Sequence, residues 1–145
     1  MTELVLPEDT NPKGTIFGGR VLALIDKCAA IAAMRHSRTD VVTASLDSVT
    51  FLNKVRLGHV LLLNARLNAA FHTSMEVEVS VCSEDPKTGE QNLTTRALVT
   101  MVAVDDQGRP RPIPPLALGT DEERLAAAGA DARRRNRLAA RTAPA

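Results

Sequence analysis

The stretch from Gly18 to Met34 reads Gly-Gly-Arg-Val-Leu-Ala-Leu-Ile-Asp-Lys-Cys-Ala-Ala-Ile-Ala-Ala-Met, apolar at nearly every angle of a helix. A helix with that pattern can show little of itself to water. Arg20, Asp26 and Lys27 interrupt it, so no apolar run reaches bilayer-spanning length and no membrane insertion is expected. The rest of the chain must therefore enclose this helix, which is expected from about Gly19 to about His36.

The enclosing material reads as strands. Val41 to Asn53 is rich in Val, Thr and Leu and suggests one long strand with a bend near Asp47 or Ser48. In His59 to Ala70, Leu61, Leu63 and Leu67 alternate with Asn64, Arg66 and Asn68. In Ser74 to Val81, Met75, Val77, Val79 and Val81 point one way and Ser74, Glu76, Glu78 and Ser80 the other. Leu93 to Val104 is the last strand, with Leu98, Val102 and Val104 on one side. Turns are expected at Glu84–Glu90 and Asp105–Pro110, and a short strand at Leu4–Leu6. One apolar helix beside a meander of long strands implies an α+β fold, the sheet laid around the helix. Arg111-Pro112-Ile113-Pro114-Pro115-Leu116 should leave the sheet as an extended tail. Residues 1–118 form the expected domain. Residues 119–145, rich in Ala and Arg, read as an exposed appendage, helical or disordered.

Composition excludes several functions. The 145 residues suit one domain with a real core. Their net charge is +1, with six arginines against four acids in residues 121–145, so the remainder is slightly acidic. With no Trp, no Tyr and three Phe, the chain lacks both the charge and the stacking surfaces of a nucleic-acid binder. Cys28 and Cys82 sit in apolar or strand contexts and read as reduced thiols. No close histidine pair or Cys/His cluster suggests a metal, and no phosphate-loop or dinucleotide fingerprint suggests a cofactor. The N-terminus lacks the basic-then-apolar pattern of a signal peptide, and a cytoplasmic setting is expected.

Within this frame Asp26 stands out. A carboxylate in an oily helix is costly unless hydrogen-bonded or chemically employed. Its neighbours at three and four residues are Leu22, Ala23, Ala29 and Ala30, so it has no partner on its own helix. The preceding loop, Asn11 to Gly19, is glycine-rich and leads into a helix start, where free backbone N–H groups can hold an oxygen gaining negative charge. Asn11 offers an amide to orient water or a carbonyl. Asp47 is a second acidic candidate, expected to pair with an arginine or to close the sheet near the first site.

Taken in order, these pieces resemble the hotdog-fold acyl-CoA thioesterases, in the broad-range bacterial and organellar branch. The matching stretches are Asn11-Pro12-Lys13-Gly14-Thr15-Ile16-Phe17-Gly18-Gly19, Asp26, Arg35-His36, Val41 through Val49 with Phe51, Thr73-Ser74-Met75-Glu76-Val77, Glu84-Asp85 with Thr88-Gly89-Glu90, and Gly108-Arg109-Pro110 with Pro112 to Leu116. The resemblance implies a long central helix wrapped by a curved antiparallel sheet. It also implies homodimers joined edge to edge, often assembled as trimers of dimers, with active sites between subunits. It places the catalytic carboxylate at Asp26, its partner asparagine at Asn11 across the interface, and the thioester oxygen against Gly18 and Gly19. Thr43 and Ser45 fall on the strand passing the site. Lys54, Arg56 and the turn His72, Thr73, Ser74 are expected to contact the nucleotide and phosphates of CoA. Lys54 replaces a usual proline, and His72 replaces a common arginine, which would make phosphate binding there weaker or more pH-dependent.

The implied reaction is hydrolysis of acyl-CoA to a carboxylate and CoA, with Asp26 as general base or as nucleophile. Two alternatives are a hotdog hydratase and a non-catalytic module that binds acyl-CoA. The nearest histidine to Asp26 is ten residues on, at His36, which disfavours the hydratase. The presence of both Asn11 and Asp26 disfavours mere binding.

Overall fold

The structure is a computed structural model describing residues 1–142. Its elements run β1 (Thr2–Leu4), a single 3-10 turn (Pro7–Asp9), α1 (Gly18–Ser37), β2 (Asp40–Phe51), β3 (Val60–Ala70), β4 (Ser74–Glu84), β5 (Gln91–Val104) and α2 (Asp121–Thr142). The strands form one antiparallel sheet in the order β1-β3-β4-β5-β2. Short connections join β3 to β4 and β4 to β5, whereas the link from β2 to β3 crosses past both to the strand beside β1. That link is pinned beneath the loop preceding α1: Ile16 N–H donates to Val55 O, Leu57 N–H to Gly14 O, and Val5 N–H to His59 O. Val55 is buried there. The short first strand lies at Thr2–Leu4 rather than Leu4–Leu6, pairing with Val60–Leu62.

Helix α1 lies on one face of the sheet. Val21, Leu24, Ile25, Cys28, Ala29 and Ala33 are buried on it, and Met75, Val77, Val79 and Val81 meet it from β4, each at 0% exposure. Arg38 ends the helix in the left-handed conformation, its N–H donating to Met34 O. The helix is not enclosed on all sides. A five-stranded sheet covers one side of a cylinder, and Ile31 and Met34 remain 40% and 39% exposed on the other.

Leu98 and Val102 share one side of β5, as expected, and that side is the outward one. Its core residues are Ala97, Val99, Met101 and Ala103, while Leu98 and Val102 look outward. β5 carries apolar residues on both faces, Ala97, Val99, Met101 and Ala103 on one and Leu98 and Val102 on the other, so alternation alone does not select the inner one. Small alanines suit the side on which the helix backbone approaches.

The arginine-rich segment takes the helical one of the two expected forms, Asp121–Thr142, and lies against part of the outward face with most of its residues exposed. Ala130 is fully buried, and Arg133 forms a two-pronged pair with Glu76, Nε to Oε2 at 3.0 Å and Nη2 to Oε1 at 2.6 Å. Asn68 Nδ2 also donates to Glu76 Oε1, at 2.9 Å. Hydrogen bonding to Glu76 raises the Arg133 guanidinium above its ordinary pKa. Arg134 stacks 4.9 Å from the Phe71 ring centroid. The last three residues of the expected 119–145 segment lie outside the described residues.

Candidate active site

Strand β2 carries two register shifts, between Thr43 and Ser45 and between Asp47 and Thr50. Each extra residue inverts which side chains face the helix. Val41 packs on the core and Thr43 reaches α1; after the first bulge Leu46 packs inward, and after the second Val49 does. Ser48 takes φ 53 at the second bulge, where the sequence suggests a bend. The first bulge, at Ala44, has no glycine or proline to mark it.

Asp26 projects from the half-buried side of α1 that faces β2. Thr43 Oγ1 donates to Asp26 Oδ1 at 2.5 Å. The same hydroxyl lies 3.6 Å from Met101 Sδ, its neighbour across the strand pair. Among the described residues no cation pairs with Asp26. Its second oxygen is thus a carboxylate acceptor beside one hydroxyl, a suitable place for a water. Cys28, one half-turn on, is a core thiol whose pKa burial pushes upward, so the thiolate form is disfavoured.

The loop before α1 is rigid by its own hydrogen bonds. Asn11 Oδ1 accepts from Lys13 N and Thr15 N, and Asn11 Nδ2 donates to Thr15 Oγ1 at 2.9 Å. Gly14 closes the turn at φ 77. Asp9 O accepts from Phe17 N, and Asp9 Oδ1 pairs with Arg20 at 2.9 Å. Among the described residues no side chain caps α1, so the exposed N–H groups of Gly18 and Gly19 are left at a positive helix end. A Cβ on Gly19 would meet nothing within 4 Å, and one on Gly18 would meet only the Phe51 ring, at 3.5 Å. Packing within the chain does not demand glycine at either position.

The expected residues do not form one cluster within a single chain. Gly18 precedes Asp26 by two helical turns, about 12 Å along the axis, too far for one carbonyl carbon and its attacking water to span. Ser45 lies beyond the first bulge, turned away from Asp26, and its Oγ donates to Asp47 Oδ2 at 3.2 Å. Asp47 pairs with Arg137 of α2, at 3.4 Å. Lys54 and Arg56 line a cleft of about 680 Å³ with Lys13, His59 and Glu90. His59 Nδ1 is buried there with no partner among the described residues. A smaller cleft of about 210 Å³, at Gly18, Val21 and Phe51, shares Thr15, Asn53 and Lys54 with it. His72, Thr73 and Ser74 sit at the other end of the sheet, beside Val102 and Ala103. Thr43 and Asp26 belong to that end, whereas Phe51 and Gly18 belong to the Lys54 end.

A long helix wrapped on one side by an antiparallel sheet, with a carboxylate opposite a bulged edge strand, defines the hotdog class of α+β protein. Residues 13–90 match the Thioesterase superfamily, and the chain belongs to that family. A Bacillus subtilis (strain 168) relative, named as the uncharacterized acyl-CoA thioester hydrolase YkhA, is 41% identical over 122 residues, covering 84% of this chain and 71% of that one. A solved apo-hexameric acyl-CoA thioesterase superposes with a TM-score of 0.92 at 47% identity, covering 99% of this chain and 92% of its own. An acyl-CoA hydrolase from Staphylococcus aureus, solved with butyryl coenzyme A, coenzyme A and coenzyme A disulfide, superposes with a TM-score of 0.87 at 38% identity, covering 97% and 86%. That enzyme has also been solved with an aspartate, a threonine or an asparagine replaced by alanine.

Proposed function

We propose that this chain hydrolyses acyl-CoA thioesters to a carboxylate and CoA at sites built between two copies of itself. The observation that carries the reading is the Asp26–Thr43 pair: a half-buried carboxylate held by one hydroxyl, with an oxygen free for water. The asparagine, aspartate and threonine replaced in the Staphylococcus aureus enzyme have the same sequence spacing as Asn11, Asp26 and Thr43. Asp26 takes a proton from water, the hydroxide adds to the thioester carbon, the C–S bond breaks, and the proton passes to the departing thiolate. The developing oxyanion lies against the N–H groups of Gly18 and Gly19, and Asn11 orients water or carbonyl.

The 12 Å separation of Gly18 and Asp26 supports a shared site. Among the described residues β2 is a long strand paired on only one side, and Val42 on it is exposed. Pairing β2 with its copy in antiparallel sense puts the Asp26 end of one protomer at the helix start of the other. The same inversion brings Thr43, His72, Thr73 and Ser74 of one chain toward Lys54 and Arg56 of its partner. The Lys13, Lys54, Arg56 and His59 cleft is then the place for CoA phosphates. The exposed Ile31 and Met34 face of α1 is available for a further contact, consistent with a trimer of dimers.

Asp26→Asn keeps the shape of the side chain and removes the base. Turnover of a small acyl-CoA panel, read by thiol release, is expected to fall about 10²- to 10⁴-fold with the fold retained. Wild-type-like release would refute the assignment. A single turnover in ¹⁸O-water tests the nucleophilic route: label recovered in the Asp26 carboxylate requires an anhydride hydrolysed at the aspartyl carbonyl, whereas direct hydrolysis places label only in the product acid.

A further inference from the structure

The geometry points to Asp47 and Arg137 as positioning residues that set the Thr43–Asp26 contact from the opposite face of the sheet. Neither residue reaches the space beside Asp26. The two bulges of β2 isolate the three residues Ser45, Leu46 and Asp47 between them. Leu46 points toward the helix, whereas Ser45 and Asp47 point outward to α2. One oxygen, Asp47 Oδ2, accepts from both Ser45 Oγ and Arg137 Nη1. The short segment is thereby tied to α2.

α2 is in turn fixed to β4 by the Arg133–Glu76 pair and by buried Ala130. Thr43, paired with Met101, is the last ladder residue before the first bulge, where Ala44 drops out of register. One unpaired residue, Ala44, joins the segment between the bulges to Thr43, whose hydroxyl holds Asp26, so a change in how that segment sits on β5 is felt first at Thr43. Bulges re-aim side chains at the cost of local rigidity, and the Arg137–Asp47 pair restores that rigidity. The inference rests on the reading of Asp26 as the reactive carboxylate.

The pair is partly exposed, with side-chain exposures of 27% for Arg137 and 43% for Asp47. Such a pair contributes little to global stability, so its loss can be read in turnover. The test uses the full chain with butyryl-CoA and measures kcat, KM, melting temperature and assembly for Arg137→Ala, Arg137→Lys and Asp47→Asn, with Asp26→Asn in parallel. Arg137→Ala and Asp47→Asn are expected to lower kcat about three- to fivefold at unchanged KM, melting temperature and assembly, and Arg137→Lys to recover most of the loss. Unchanged kcat in Arg137→Ala, a matching change in KM, or no recovery with lysine would overturn the proposal. If Arg137→Ala does not fold, Asp47→Asn decides by the same criteria. An inactive Asp26→Asn beside a fully active Arg137→Ala defeats the positioning role alone. An active Asp26→Asn defeats the reading beneath it.

Discussion

At the residue scale, Asp26 depends on Thr43 more than on anything in its own helix. A hydrogen bond from a neutral hydroxyl to a carboxylate is worth about 1.5–3 kcal/mol, and it also fixes which oxygen faces the open side. Thr43→Val keeps the branched shape and removes the donor. It is expected to lower kcat about tenfold or more while costing about 1–2 kcal/mol of stability, read by steady-state kinetics and urea unfolding. Equal kcat in the variant would mean that Asp26 orients itself without help. Asp26 and its lack of a helical partner were legible in the sequence. Thr43 could be placed on the strand passing the site, but nothing in the sequence separates it from Ser45. The bulge at Ala44 separates them, because it reverses the parity of the strand between the two residues.

At the element scale, α2 shows how a polar sheet face is misread from alternation. Ser74, Glu76, Glu78 and Ser80 look like a solvated row, yet Glu76 is 2% exposed. Its charge is tolerated because Arg133 and Asn68 satisfy both oxygens. Glu76→Gln removes the charge and leaves the Arg133 guanidinium with a weaker acceptor. It is expected to destabilise the protein by about 1–3 kcal/mol, measured by denaturant unfolding, with α2 the first element to lose hydrogen-exchange protection. Unchanged stability would mean that α2 is held by its apolar contacts alone. The helical character of this segment was legible from Asp121-Glu122-Glu123 at its start. Its docking was not, since a helix whose apolar content is mostly alanine gives no strong amphipathic signal.

At the scale of the whole molecule, the unfinished surfaces carry the argument. One face of α1 is open, β2 is unpaired on its outer side, and Gly18 and Asp26 of one chain lie two helical turns apart. Mixing tests the proposed completion by a second copy. Asn11→Ala and Asp26→Asn are each expected to be nearly inactive. Unfolding and refolding the two together yields mixed dimers in which one of the two sites combines native Asn11 with native Asp26. Random pairing then restores about a quarter of wild-type activity. No recovery, with mixed dimers demonstrated by mass, would place both residues in a site within one chain.

The long elements, the antiparallel sheet class, the reactive-looking aspartate and its glycine-rich approach could all be read along the chain. These follow from local pattern: periodicity, turn residues and the absence of a helical partner are properties of neighbours along the chain. That β5 turns its alanines to the helix, that β2 reverses its facing twice, that α2 buries Glu76, and that the expected site residues lie at two ends of one sheet emerged from the packed fold alone. Those outcomes depend on which surfaces meet across the fold. Alternation is symmetric between the two faces of a strand until packing against a helix breaks the symmetry.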